Sequence, residues 1–286
     1  MDTKIDSSKE GMLYLCATPI GNLDDITVRV LKTLQSCDLI AAEDTRNTMK
    51  LLNHYEIKKP LTSYHEHNKY EKAQELISYM KQGNWVALVT DAGTPAISDP
   101  GEVLVRKCLK QGVKVTSLPG ACALITALTV SGMPARRFCF EGFLPSEKKE
   151  RSHVLTQLKQ EERTMILYEA PHHLLSTLND LTCVLGNRNI VLCRELTKKY
   201  EEVLPMTLDE AIAMYEKEEP RGEYVIVIEG RDPLEKKQED QEKWKTLTVE
   251  EHMAWYEQQG MERKEAMKHV AKDRGVSKRE IYKDLL

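Results

Sequence analysis

No stretch of the 286 residues approaches the ~20 consecutive apolar residues of a membrane-spanning helix. The opening MDTKIDSSKEG lacks the apolar centre of a secretory signal. None of the seven cysteines, at positions 16, 37, 108, 122, 139, 183 and 193, belongs to a C-x-x-C pair. Their count is odd and most sit inside apolar runs, which predicts reduced, buried thiols in a cytoplasmic protein and argues against a disulfide framework. There is no G-x-x-x-x-G-K-[ST] and no G-x-G-x-x-G after the first expected strand, so phosphate-cradling and dinucleotide-binding loops of those kinds are disfavoured. His65-x-His67 and His172-His173 have no Cys or carboxylate cluster at diagnostic spacing, so no metal is expected. Nor is there an excess of positive charge: charged residues make up 30% of the chain and the net charge is −4. Any contact with nucleic acid must therefore come from a local basic patch.

What is present is organised around Trp85–Gly101, WVALVTDAGTPAISDPG. An apolar run bounded by turn residues reads as a strand buried on both faces, as in a parallel sheet. The following residues predict a tight Gly/Pro loop and a helix, with Asp99 as N-cap, Pro100 at the first helical position and Glu102 at capping-box spacing. The same strand–loop–helix pattern recurs along the chain. Strands are expected at 12–17, 39–42, 61–64 and 113–118, and helices follow at about 24–36, from after the 43–46 loop to about 55, and at 71–82, the first capped by Asp24 or Asp25. This alternation predicts a five-stranded parallel sheet with helices on both faces.

Ala121–Val130 is a small apolar helix that reads as the crossing into a second α/β domain with a mixed sheet. Its strands are expected at 138–143, 165–168, 190–193 and 224–228, with helices at 148–161, from after the 169–173 loop to 185, and at 207–217. The expected organisation is thus an N-terminal α/β domain (12–120), a C-terminal α/β domain (121–230), a charged linker (231–243) and a basic helical tail (244–286), with a ligand cleft between the two α/β domains. Thr248 with Glu251 and Ser277 with Glu280 have capping-box spacing in the tail.

Five loops at expected strand ends carry polar or conformationally special residues: 18–22, 43–46, 65–68, 91–95 and 169–173. In open α/β sheets ligands bind outside the carboxyl ends of the strands. Five such loops together favour a site over five unrelated caps. TPIGNLDDIT, AEDTR, TDAGTPAISDPG, LPGACA, EGFLP, YEAPHH and RELTK, in this order, resemble the ribosomal RNA small-subunit methyltransferase I family, the cytidine 2′-O-methyltransferase branch of the tetrapyrrole methylase superfamily. The resemblance runs from about Leu13 to Gly230. It implies S-adenosylmethionine as methyl donor, 16S rRNA or the small ribosomal subunit as substrate, and a homodimer. The positions it assigns to the donor are Asp91, Ala92, Gly93, Gly120, Ala121, Tyr168 and Ala170, with Glu195 and Gly222-Glu223 as weaker candidates. The chemistry agrees. Glycine lets backbone approach a ligand, Tyr168 offers a ring face and a hydroxyl, and a carboxylate such as Asp91 suits a sulfonium. The alternative for Asp91 is a turn-stabilising cap.

Methyl transfer to a ribose hydroxyl needs alignment and removal of a proton. The acids at the loop ends, Glu43, Asp44, Glu66 and Glu169, are candidate bases, with Glu43 or Asp44 favoured; His65 and His67 can also accept a proton at neutral pH. Arg46 carries a donor fork suited to phosphate or carboxylate. The alternative is a structural cluster of Glu43 and Asp44 with Arg46. In the tail, eight Lys/Arg and four Asp/Glu fall between Glu262 and Lys283. Arg263, Lys264, Lys268, Lys278 and Arg279 are the candidate RNA contacts, joined by Lys272, Arg274 and Lys283, in a layout resembling helix-turn-helix. The alternative is a solvated charged face. Lys148, Lys149 and Arg151 form a second candidate patch. Two other functions stay open: a related methylase acting on a tetrapyrrole or other small or protein substrate, and a non-catalytic module binding RNA or S-adenosylmethionine. The Thr18-Pro19-Ile20-Gly21-Asn22 turn, in place of a Gly-Pro-Gly-Asp type, argues against the tetrapyrrole substrate.

Overall fold

A computed structural model describes residues 10–232, 242, 244 and 246–285. The polar N-terminal nonapeptide and most of the expected charged linker lie outside the described residues. The first sheet consists of β1 (Met12–Cys16), β2 (Leu39–Ala42), β3 (Leu61–Ser63), β4 (Trp85–Val89) and β5 (Lys114–Leu118). Their order is β3-β2-β4-β1-β5, and every pair is parallel. Side chains alternate across it, so each central strand feeds two cores. Leu13, Leu15, Val86 and Leu88 face one way, against α3 (Lys69–Lys81) and α4 (Gly101–Lys110). Cys16, Ala87 and Val89 face the other, against α1 (Val28–Ser36) and α2 (Thr45–His54).

The second sheet has β6 (Phe138–Gly142), β7 (Thr164–Glu169), β8 (Asn189–Arg194), β9 (Glu202–Thr207) and β10 (Tyr224–Ile228), in the order β6-β7-β10-β8-β9. It is mixed: β6 and β7 are parallel, while β10 runs antiparallel to both neighbours and β9 antiparallel to β8. α6 (Lys148–Leu158), α7 (Pro171–Leu185) and α8 (Leu208–Tyr215) cover one face, around Leu167, Leu192 and Ile226. α5 (Ala123–Ser131) covers the other through Leu124, Ala127 and Leu128, against Ile166, Val191 and Val225.

Three local expectations need correction. Asp24 and Asp25 do not cap α1. They lie in a single 3-10 turn closed by the Asn22 side chain, which accepts from Asp24 N, and α1 is capped by Thr27, which accepts from Val30 N at 3.2 Å. α4 has no capping box. Pro100 occupies the N-cap position, Asp99 accepts from Gly101 N at 2.7 Å, and Glu102 turns outward to Arg106 at 3.5 Å. β9 was absent from the expected elements, because Pro205 interrupts its pattern. Proline is tolerated there because β9 is an edge strand, where a ladder amide is dispensable.

All seven cysteines are free. Cys183 is exposed, against expectation, while Cys16, Cys37, Cys108 and Cys193 are buried. The tail forms α9 (Val249–Gln258), α10 (Arg263–Arg274) and α11 (Lys278–Asp284) around its own small core of Met253, Ala266, Val270 and Ile281. The Thr248/Glu251 and Ser277/Glu280 boxes both form, as does Thr207/Glu210 before α8. Among the described residues no helix is long and apolar enough to cross a membrane.

Candidate active site

β1 and β4 are neighbours, but the chain leaves them in opposite directions, toward β2 and toward β5. That reversal opens a crevice at their carboxyl ends. The two loops there are stitched together: Thr18 N donates to Gly93 O at 2.9 Å, and Gly93 N returns a bond to Thr18 O at 3.0 Å. The Thr18 hydroxyl donates to Thr90 O at 3.1 Å. Gly93 has φ +82°, and a Cβ on it would lie 3.3 Å from Ile20 Cγ2. Glycine is therefore required both by the left-handed backbone and by the close approach. Further along, Asp99 accepts from Ala96 N and Gly101 N, both at 2.7 Å, and braces the loop against α4. Burial pushes the Asp99 carboxyl upward, and its bonds to backbone amides only partly oppose this.

The crevice holds a cavity of about 480 Å³ between the two sheets, within the size range of small-molecule sites. Asp91, Ala92 and Gly93 line one side, and Tyr168 and Ala170 the other. Its apolar walls include Ile20, Phe143, Leu196 and Val225. In the sequence these four carry no signal separating them from core residues. Tyr168 is held edge-on by Phe140 and Phe143, with centroids 4.9 and 5.7 Å away. Its hydroxyl accepts from Leu124 N, at the start of α5, at 3.0 Å, and burial pushes its pKa up to about 12. Tyr168→Phe is expected to strand that amide and cost about 1–3 kcal/mol, measurable by denaturant unfolding; an unchanged midpoint would show that the amide finds another partner. Cys193 also lies on the wall, but burial raises its thiol to about 12, so it is no nucleophile.

Of the remaining expected donor positions, Glu223 lines the cavity, while Gly120, Ala121, Gly222 and Glu195 support the wall without lining it. Gly120 packs on Ala17, where a Cβ would fall 2.6 Å from the Ala17 Cβ. Ala121 O accepts from the Thr94 hydroxyl at 2.9 Å and fixes the rim. Gly222 (φ +80°) leaves room for the Glu195 side chain, which its Cβ would strike at 2.5 Å. Glu195 pairs with Lys198 at 2.9 Å and accepts from Glu223 N. Burial raises the Glu195 carboxyl, but these bonds outweigh it and the net shift is downward.

A second cavity, of about 610 Å³, opens between the 18–22 loop and α2. Lys50 and Lys198 contribute cations to it, His54 an imidazole, and Pro19, Leu23 and Leu51 apolar surface. The two cavities adjoin along Ile20, Thr90, Asp91, Ala92 and Glu223. Asp91 is turned toward the first turn of α2: Asp44 N donates to Oδ1 at 3.1 Å and Asn47 Nδ2 to Oδ2 at 3.4 Å.

None of Glu43, Asp44, Arg46 and Glu66 lines either cavity. Glu43 accepts from the Thr90 hydroxyl at 2.8 Å. Asp44 is gripped by Arg46 through Nη2 at 2.8 Å and Nε at 3.2 Å. These bonds lower the Asp44 carboxyl to about 2, which makes it a weak base at neutral pH. Glu66 pairs with Lys69 on the surface. Glu169 is buried, with one oxygen accepting from Ala170 N and the other from the Thr177 hydroxyl. No group of three or more metal-binding side chains occurs among the described residues.

Arg263, Lys264, Lys268, Lys278 and Arg279 are all exposed on α10 and α11, as are Lys272 and Lys283. Arg274 is not part of that face. Its guanidinium donates to Leu247 O at 2.6 Å, Thr248 O at 2.8 Å and His252 Nδ1 at 3.2 Å, tying α10 to the start of α9. Arg151 likewise folds inward onto Asp180 and Thr177 at 2.7 and 2.9 Å, leaving Lys148 and Lys149 as that patch.

Residues 12–212 match the profile of the Tetrapyrrole (Corrin/Porphyrin) Methylases. The chain is 49% identical over 273 residues to the Ribosomal RNA small subunit methyltransferase I of Halalkalibacterium halodurans, covering 96% of this chain and 94% of the relative. It is 49% identical over 275 residues to the protein of that name from Bacillus subtilis, with the same coverages. Among solved structures, diphthine synthase aligns with a TM-score of 0.61 at 15% identity, covering 76% of this chain and 90% of that one. Uroporphyrin-III C-methyl transferase from Thermus thermophilus, complexed with S-adenyl homocysteine, aligns with a TM-score of 0.54 at 18% identity, covering 76% and 97%. At these identities the structural likeness concerns the fold.

Proposed function

The chain belongs to the tetrapyrrole methylase family, in its ribosomal RNA small subunit methyltransferase I branch, and on that premise we propose that it methylates the 2′-oxygen of a cytidine ribose in the decoding region of 16S rRNA, using S-adenosylmethionine. The observation that carries the reading is the pair of adjoining cavities. One is largely apolar and rimmed by the Gly93 backbone; the other presents Lys50 and His54, which suit a phosphate backbone, and also carries the Lys198–Glu223 ion pair. A donor in the first and a ribose in the second meet along the Asp91–Ala92 wall.

The residues present fit the donor. The left-handed Gly93 brings backbone to the cavity surface with no side chain in the way. Asp91 supplies negative charge at the rim, and Ile20, Tyr168, Leu196 and Val225 supply apolar surface for an adenosyl group. When bound, S-adenosylmethionine supplies a methyl group made electrophilic by a sulfonium. The chain's part is to align the ribose oxygen at about 3–3.5 Å from that carbon and to take up the hydroxyl proton. The exposed tail cations Arg263, Lys264, Lys268, Lys278 and Arg279 offer a further cationic surface for phosphates. Action in the cytoplasm and pairing into a homodimer are part of the same proposal, resting on family membership. Sedimentation at twice 32.8 kDa is the expected result for the dimer.

The direct experiment incubates the protein with methyl-labelled S-adenosylmethionine and small ribosomal subunits lacking the modification. Label is expected on a cytidine 2′-oxygen of the decoding region. Label on an added tetrapyrrole and none on the RNA would overturn the proposal.

A further inference from the structure

A group that deprotonates the acceptor must stand where the two cavities meet. Among the described residues that line both, only Asp91 and Glu223 carry ionisable side chains. Asp91 has both oxygens engaged by donors from α2, so its role is to brace the wall. Glu223 differs. Its Oε2 accepts from Lys198 Nζ at 2.7 Å, while Oε1 accepts no hydrogen bond among the described residues. We propose that Glu223 is the catalytic base of the methyl transfer, and that Lys198 is the positioning residue that aims its carboxylate across the junction. The inference rests on the methyltransferase reading above and assigns the proton to a residue of the second sheet, away from the 43–46 loop.

The surroundings are built to fix this pair. Glu195 N donates to Glu223 O at 3.0 Å, and Glu223 N donates to Glu195 Oε1 at 2.9 Å, so the start of β10 and the loop after β8 are latched in both directions. Lys198 Nζ bonds to Glu195 Oε1 at 2.9 Å as well as to Glu223. Partial burial pulls the Lys198 ammonium down, but its two carboxylate partners outweigh this and raise it, so it remains a cation. The loop bends to reach this arrangement. Glu195 and Thr197 both have left-handed backbones, at φ 50° and 66°, a conformation that non-glycine residues hold at a cost of about 1–3 kcal/mol each. Contacts with the first sheet's loop hold the bend: Asn22 N donates to the Thr197 hydroxyl at 3.1 Å, and Gly21 is flush with Lys198, whose Cγ would lie 2.4 Å from a Cβ there. Strain kept by so many contacts, around a cation and two carboxylates at a cavity junction, marks a placed functional group.

The step balances with no further reagent. The proton passes from the ribose 2′-oxygen to Glu223 Oε1 as that oxygen forms its bond to the methyl carbon. The methyl–sulfur bond breaks, its electron pair stays on sulfur, and Glu223 then releases the proton to water.

The test uses the full chain and unmodified small subunits. Glu223→Gln is expected to lower kcat by about 10²–10⁴-fold while S-adenosylhomocysteine affinity by calorimetry, subunit binding by co-sedimentation, and Tm stay at wild-type values. Lys198→Ala is expected to lower kcat while KM for the small subunit stays near its wild-type value, because the carboxylate loses the contact that orients it, and Lys198→Arg to restore kcat. A Glu223→Gln enzyme with near-wild-type kcat, or one whose loss tracks S-adenosylhomocysteine binding or Tm, overturns the assignment. A wild-type chain that labels no RNA overturns the methyltransferase reading itself.

Discussion

Ala92→Trp is expected to abolish S-adenosylhomocysteine binding and methyl transfer together, while Tm moves by no more than about 2 °C, because Ala92 is exposed and outside the hydrophobic cores. Ala92 lines both cavities, so a side chain that covers about 150–250 Å² of surface obstructs the donor site and the path to it. The loop can carry the substitution because its shape is set elsewhere, by the Thr18–Gly93 bridge and by Asp99. A loss of at least about 100-fold in affinity, or ~2.7 kcal/mol, should be read by calorimetry. Wild-type affinity would place the donor outside this cavity; a collapse of Tm would assign the loop a structural role.

Neutralising Arg263, Lys264, Lys268, Lys278 and Arg279 to alanine should act in the opposite pattern. Each phosphate contact removed lowers the slope of log affinity against log salt by about 0.7–0.9. The five together should flatten it by roughly 3.5–4.5 and weaken small-subunit binding most strongly at low salt. Donor affinity should not move, because these side chains sit on a tail with its own core, remote in sequence from every cavity-lining residue. Arg274 is left intact, since its guanidinium ties α10 to the carbonyls of Leu247 and Thr248. A salt slope unchanged by the five substitutions would show that this face is merely solvated and that RNA is held elsewhere, with Lys50 and His54 the next residues to examine.

The sequence carried far on the scaffold. β4 read as a strand buried on both faces because WVALV is a continuous apolar run, and the β-branched YVIVI read as the strand β10. The Thr248/Glu251 and Ser277/Glu280 capping boxes read correctly because each depends on residues three apart in one chain segment. The misses had equally local causes. Pro205 broke the alternation of β9, and Thr27 took the cap expected of Asp24 or Asp25.

Charges were the least legible. Asp44 and Glu223 are both carboxylates beside basic residues in the sequence. Yet one is locked to Arg46 on the surface, and the other stands at a cavity junction with an oxygen that accepts no hydrogen bond among the described residues. Arg274 and Arg279 lie five residues apart in one basic stretch, but one is a strut and the other faces solvent.

By itself the sequence determined the alternation of strands and helices, the positions of the loops at strand ends, and the family, because each rests on order and spacing along the chain. The tertiary structure alone decided which loops meet. The strand order β3-β2-β4-β1-β5 sets Thr18 against Gly93 across 75 positions. The strained 195–198 loop brings Lys198 and Glu223 to Asp91 from the other sheet. Where a charge ends up, and whether it is paired there, depends on contacts between segments far apart in the chain.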